Sequence, residues 1–345
     1  LTETIHGSHS GDTESAEEFE LFHQLGPNEI LTILENADLR PDGHILALNS
    51  YENRVYRIGL EEGPPVVVKF YRPGRWTDAQ ILEEHDFTRE LAAAEVPVVP
   101  PLAMSGNTTL MHQGKYRYSL YPCVGGRPPE LDNPEQLRRM GTFLARLHNV
   151  GEQSAFSERP QINPVTFLRE PGDYLLGLDL LPGELVSAFN SLFEDIAVRV
   201  DHCYERAGKL DLIRLHGDCH QGNILWRDEV PAILDFDDAR SGPAVQDLWM
   251  FLSGDREYMT ARLDDLMKGY RLFRAFNPAE LHLVEALRCM RMVHHAAWLA
   301  RRWNDPAFPI AFPYFNSQRY WEDLILGLRE QAALMDEYPL QVDFD

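Results

Sequence analysis

His216-Gly217-Asp218-Cys219-His220-Gln221-Gly222-Asn223-Ile224-Leu225-Trp226, followed by Ile233-Leu234-Asp235-Phe236-Asp237-Asp238, is the stretch that decides how this chain reads. An aspartate, an asparagine five residues later and a second aspartate after the next apolar strand form a set of oxygen donors. Phosphoryl transfer needs such a set: one carboxylate beside the attacking hydroxyl, and oxygen ligands for the Mg²⁺ ions that neutralise phosphate charge. In isolation Asp218 and Asp235 read as turn acids. Three oxygen donors, a preceding His-Gly and two bracketing strands favour a metal-phosphate site instead. His216, Cys219 and His220 raise zinc, but no second Cys or His pair stands at fitting spacing, and His294-His295 face different sides of a helix.

Protein kinases separate their catalytic-loop Asp and Asn by the same interval and carry a metal-binding Asp in D-F-G, where this chain has Asp235-Phe236-Asp237. Lys69 lies inside the apolar run Val66-Val67-Val68-Lys69-Phe70-Tyr71, so it either snorkels to an edge or meets an anion. On the next helix Glu84, Phe87, Leu91 and Ala94 follow helical steps, which puts Glu84 in the apolar stripe. A buried acid needs a partner, and Lys69 is the natural one, with its ammonium then aimed at nucleotide phosphates. Glu83 is the weaker choice. No G-x-G-x-x-G loop is present; Leu48-Asn49-Ser50-Tyr51-Glu52-Asn53-Arg54-Val55 stands in its place, either a phosphate-reaching turn or an ordinary hairpin. Asp247, near a helix start, reads as a brace accepting catalytic-loop amides. Cys219 reads as a buried thiol. The helix over 288–303, with Arg291, Trp298, Arg301, Arg302 and Trp303, reads as a core face with a solvated basic side rather than as the lining of an acceptor groove.

Around these motifs the chain divides. Residues 1–20 carry six acids and no Lys or Arg, and read as a flexible acidic tail. Residues 21–122 hold the N-lobe and ATP-binding elements: an amphipathic stretch over 19–34 with Asn28 as N-cap candidate, and strands over 45–48, 54–58, 66–71, 108–112 and 116–121. A helix over 77–94 completes it, opened by a Thr77/Gln80 capping box. Residues 123–345 form a larger, mainly helical C-lobe for catalysis and acceptor binding, with helices over 137–148, 185–204, 247–252, 256–273, 278–303 and 319–335. The fold class is α+β, a bilobal protein-kinase-like arrangement with a small N-lobe sheet plus one helix. Adenine is expected at hinge backbone from Tyr121 to Val124.

The chain has 345 residues, 44% apolar and 25% charged, an ordinary globular balance. Its 54 acids against 32 bases give a net charge of −22, which disfavours nucleic acid and anionic membranes as partners. No apolar run nears the roughly 18 residues of a spanning helix, and the acidic N-terminal residues lack a signal-peptide pattern. Cys123, Cys203, Cys219 and Cys289 form no C-x-x-C pair, which suits a cytoplasmic setting.

The loop 216–223 and the helix end Leu144-Ala145-Arg146-Leu147-His148 resemble the aminoglycoside phosphotransferase family, a group with a protein-kinase-like fold. Asn49-Ser50-Tyr51-Glu52-Asn53-Arg54-Val55-Tyr56, Val67-Val68-Lys69-Phe70-Tyr71-Arg72-Pro73 and Arg75-Trp76-Thr77 resemble its bacterial stress-response kinases. So do the blocks 216–228, 242–250 and 298–309. The resemblance implies an ATP-dependent serine/threonine protein kinase, cytoplasmic, serving a stress response. By motif it assigns Asp218 as proton acceptor, Asn223 and Asp235 as Mg²⁺ ligands, and Ser50 to the ATP site. A monomer acting on a protein hydroxyl is expected, with the chain itself among the candidate acceptors. The rivals are a kinase of a small hydroxyl compound such as an amino sugar or choline, and a non-catalytic ATP-binding scaffold.

Overall fold

The computed structural model describes residues 24–342, so the expected acidic tail lies outside the described residues. The chain splits into two compact units, one of residues 24–82 with Pro101–Cys123, the other of Glu83–Pro100 with 124–342. The sequence reading cut the chain once, after residue 122; the structure groups 83–100 with the larger unit. Together the units make an α+β protein.

In the smaller unit α1 (Pro27–Asn36) starts after Gly26, with Pro27 in its first turn. Asn28 is therefore inside the helix and not its cap; its carbonyl accepts the Thr32 hydroxyl at 2.9 Å. The fixed φ of proline suits the first helical position and draws the start forward. Strands β1 (Pro41–Ala47), β2 (Arg54–Leu60), β3 (Val66–Phe70), β4 (Met111–Gln113) and β5 (Tyr116–Pro122) form one antiparallel sheet in the order β1-β2-β3-β5-β4. Ile58, Val68, Phe70 and Leu120 meet Ile30 and Leu34 of α1 in its core. β4 is shorter than expected because a 3₁₀ turn, Ser105–Asn107, and the Thr108 hydroxyl bonded to the Leu110 carbonyl take the preceding residues.

Helix α2 (Asp78–Ala93) opens on the expected capping box: Thr77 N donates to Gln80 Oε1 at 2.9 Å, and Gln80 N to Thr77 Oγ1 at 3.2 Å. Its buried stripe runs Ile81, Glu84, Phe87 and Leu91. Ala94 is exposed and falls off that stripe, because the helix ends at Ala93 and Glu95 turns the chain with φ 58°.

The larger unit contains α3 (Pro134–Gly151), α4 (Glu170–Leu176), α5 (Gly183–Ala207), α6 (Gln246–Trp249), α7 (Arg256–Tyr270), α8 (Val284–Arg301), α9 (Ala307–Ala311) and α10 (Gln318–Met335). Short α4 and α9 carry too few turns to show periodicity. A six-residue 3₁₀ segment, Pro278–Leu283, precedes α8 where the sequence suggests one continuous helix. Two small ribbons complete the unit: β6 (Ile213–Leu215) with β9 (Arg240–Gly242), and β7 (Ile224–Arg227) with β8 (Val230–Ile233).

Helices α3 and α7 touch backbone to backbone. A Cβ on Gly141 would stand 1.9 Å from the Leu266 carbonyl oxygen, and one on Gly269 1.8 Å from that of Arg138. Glycine at both points fixes the spacing that lines up His148 and Tyr270, near the ends of these helices. Gly141→Ala is expected to cost about 3 kcal/mol of stability, with Gly125→Ala, in open space, within about 0.5 kcal/mol of wild type. Denaturant midpoints of the two variants check this.

Candidate active site

Strand β6 is buried along its length and leads into the loop 216–223. Four hydrogen bonds then close a ring. Asp218 N donates to His216 Nδ1 at 3.3 Å, and His216 Nε2 donates to the Leu234 carbonyl at 2.7 Å. Leu234 N donates to the Asn223 carbonyl at 2.8 Å, and Asn223 Nδ2 to the Asp218 carbonyl at 3.0 Å. The β7–β8 hairpin makes this possible, because its register sets Ile224 opposite Ile233 and so returns Asp235 to the end where Asn223 sits. Asp218, Asn223 and Asp235 are thereby brought together. Both nitrogens of His216 are committed to this ring, which removes it as a zinc ligand.

Asp247 clamps the loop from behind. Its Oδ2 accepts His216 N at 2.8 Å and its Oδ1 accepts Gly217 N at 2.9 Å, while Gln246 Nε2 donates to the Gly217 carbonyl at 2.8 Å. Gly217 has φ 84°, and a Cβ there would meet the Asp238 carbonyl at 2.1 Å, so the position admits glycine alone. Asp247 is fully buried, and so is His148, whose Nε2 lies 3.3 Å from Asp247 Oδ2 and whose Nδ1 lies 2.8 Å from the Tyr270 hydroxyl. Glu280 accepts Val245 N at 2.9 Å, just ahead of α6. Burial pushes its carboxyl up to about 7, with Asp211 raising it and Arg274 opposing.

The two aspartates sit in different surroundings. Asp218 is mostly covered: its Oδ2 is 3.5 Å from His220 Nε2, and its Oδ1 is 2.6 Å from Arg291 Nη1. The Arg291 approach is an ion pair without hydrogen-bond alignment, so buried Oδ1 accepts no hydrogen bond. Burial works against its charge, but the His220 hydrogen bond and the Arg291 guanidinium outweigh it and hold the carboxyl below its ordinary range. Asp235 is exposed and has φ 57°, a left-handed backbone that is uncommon outside glycine. Phe236 anchors it, packing 4.5 Å from the His216 ring and 6.0 Å from Phe87 of α2. Buried Arg159 holds the next turn through the carbonyls of Asp237 and Ala239.

This donor set fits a hard divalent cation. Asn223 spends a side-chain N–H on the loop and has its amide oxygen as a donor, and the Asp235 carboxylate is exposed, while Asp218 Oδ1 already faces Arg291. Among the described residues no three His, Cys, Asp or Glu side chains gather at metal-binding distance. Burial, with Asp247 and Asp218 nearby, pushes the Cys219 thiol up and keeps it unreactive.

The other expected residues are distributed over both units. Lys69 is buried at the middle of β3, between Val55 and Ser119 on the flanking strands. Ser50 lies in the β1–β2 turn, which is pinned by Arg72: its Nε donates to the Glu52 carbonyl at 2.9 Å, and its amide to Asn53 Oδ1 at 3.1 Å. Tyr121 is on β5, its hydroxyl 3.1 Å from that of Tyr71. In the larger unit Glu84 is buried with His85 Nε2 at 3.8 Å, and Val124 opens the run toward α3. Glu83 does other work, accepting the amides of Ser157, Glu158 and Arg159 at 2.6, 3.0 and 2.8 Å. Sequence reasoning missed His148, Arg159, Gln246, Tyr270 and Glu280, and it left Arg291 on a solvated face. A histidine within the apolar register of α3 was the available signal for His148.

The chain matches the model of the phosphotransferase enzyme family over residues 44–284. It is 44% identical over 321 residues to Stress response kinase A of Escherichia coli (strain K12) and to that of Salmonella choleraesuis, covering 93% of this chain and 97% of each relative. The same values hold for Serine/threonine protein kinase RdoA of Salmonella typhimurium. Among solved structures, amicoumacin kinase hAmiN in complex with AMP-PNP and Ca²⁺ is similar at TM-score 0.70 and 18% identity, over 96% of this chain and 98% of that one. A microcompartment-associated aminopropanol kinase is similar at 0.68 and 17%, over 89% and 97%. These two likenesses establish the kinase-like fold.

Two results are expected of the support behind the loop. Asp247→Ala leaves two buried amides and His148 without their acceptor and should cost about 3 kcal/mol, read as a lowered denaturation midpoint. Glu280→Gln tests the raised carboxyl. Below pH 4.5 the acid is protonated folded or unfolded; between 4.5 and about 7 the unfolded chain ionises first and wild type loses stability. The Gln variant should therefore gain on wild type across that window, and parallel pH–stability curves would contradict it.

Proposed function

The chain belongs to the phosphotransferase enzyme family, and from that premise we propose that it is an ATP-dependent serine/threonine protein kinase of the bacterial stress response. The observation that carries the reading is the hydrogen-bonded ring that ties the backbone of Asp218 to Asn223 and to Leu234, the residue before Asp235. The names of the curated relatives supply the protein acceptor and the stress setting. Free thiols at all four cysteines fit a cytoplasmic location, and no helix among the described residues is long and apolar enough to cross a membrane.

Asp218 orients the acceptor hydroxyl and takes its proton as the oxygen bonds to the γ-phosphorus of ATP and ADP leaves. Asn223 and Asp235 hold Mg²⁺, whose chemistry when bound is to offset charge on the phosphates. Lys69 positions the α- and β-phosphates. Ser50, in the turn pinned by Arg72, serves the nucleotide, and backbone from Tyr121 to Val124 receives the adenine. The low proton affinity of Asp218 keeps it ionised at neutral pH, ready to accept.

Asp218→Asn keeps the shape and removes the base. Transfer of labelled phosphate from ATP to protein should fall about 10²- to 10⁴-fold while nucleotide affinity stays within about twofold. Undiminished transfer would remove Asp218 from the proton-acceptor role.

A further inference from the structure

Arg291 stands on α8 with Nη1 2.6 Å from Asp218 Oδ1, the oxygen otherwise left without a hydrogen bond. Among the described residues Asp218 is the carboxylate it pairs with, and its guanidinium, 38% exposed, makes no hydrogen bond. The oxygen that must receive the acceptor's proton is therefore covered by a cation whose other N–H groups are open. A guanidinium presents a planar fork of donors that matches a carboxylate in two parallel hydrogen bonds.

Its neighbours on α8 do not share this position. Arg288 Nε lies 3.2 Å from Glu285, and Arg301 lies over the Tyr174 ring at 4.7 Å. His294 stacks on Phe167 with ring centroids 4.3 Å apart. His295 and Trp298 follow Arg291 at i+4 and i+7, so the three form one stripe that starts at the catalytic carboxylate. The His295 ring is exposed and 5.4 Å from that of Trp298. Desolvation by neighbouring protein, then the Arg291 charge, lowers the His295 imidazole below its ordinary range, which favours its neutral form. Arg291 is the cation of that stripe.

We propose that Arg291 selects the acceptor: a carboxylate side chain next to the serine or threonine draws its guanidinium off Asp218 Oδ1 and uncovers that oxygen for the hydroxyl proton. The proposal rests on the protein-kinase reading and adds a substrate class to it, hydroxyls in acidic protein segments. An acidic neighbour exchanges one carboxylate partner of Arg291 for another. A neutral neighbour must displace the guanidinium and offers it nothing in return. Proton and phosphoryl movements are those given above; Arg291 governs access and is a positioning residue.

The test uses two serine peptides that differ in having Asp or Ala beside the acceptor, with wild type, Arg291→Ala and Arg291→Lys. Wild type should prefer the acidic peptide about tenfold or more in kcat/KM. Arg291→Ala should lose that preference, through KM for the acidic peptide, and Arg291→Lys should keep part of it. Equal losses on both peptides, or no preference in wild type, would overturn the proposal. Wild-type transfer to neither peptide, with phosphate going to a small hydroxyl compound instead, would overturn the protein-kinase reading and this proposal with it; peptide turnover tells the two failures apart.

Discussion

One buried carboxylate, Asp247, accepts two consecutive amides of the loop 216–223, and the geometry of the site follows from it. With His216 N and Gly217 N fixed at 2.8 and 2.9 Å, the His216 ring is placed to close the four-bond circuit through Leu234, Asn223 and Asp218. A charge buried completely is tolerable only when its lone pairs are filled, and two amides and His148 fill these. Tyr270 continues the chain of bonds, and the α3–α7 glycine contact sets where Tyr270 stands. A packing constraint between two helices thus reaches the backbone of Asp218 through hydrogen bonds.

The site also stores strain. Asp235 adopts a left-handed backbone. Such a residue costs about 1–3 kcal/mol, which its surroundings must offset. The holders are identifiable: Phe236 wedged against His216 and Phe87, and Arg159 gripping the carbonyls of Asp237 and Ala239. Phe87 lies three residues beyond Glu84 on α2, so the helix carrying that buried acid packs directly on the residue that fixes Asp235.

Much of this was legible before any coordinates, because it is local. Asp218, Asn223 and Asp235 lie within one loop and one hairpin, and the α2 cap is a contact three residues long. Lys69 declared itself as a cation within an apolar strand. What sequence concealed depends on partners far along the chain: His148 meets Asp247 99 residues away and Tyr270 122 residues away, and Arg159 reaches Asp237 across 78. Arg291 looked like a solvated base because nothing in its own helix shows that one face turns to Asp218. The errors at Asn28, Ala94 and β4 are of another kind, where turn chemistry moved an element's end by one to three residues.

The account stands or falls on Asp235 and its neighbours forming a cation-assisted nucleotide site. The direct measurement is the affinity for AMP-PNP by titration calorimetry, with and without Mg²⁺, in wild type and Asp235→Asn. Wild type should bind the nucleotide more tightly with the cation present, and the variant should lose that increment while keeping its fold. An equal Mg²⁺ increment in both proteins would contradict the account.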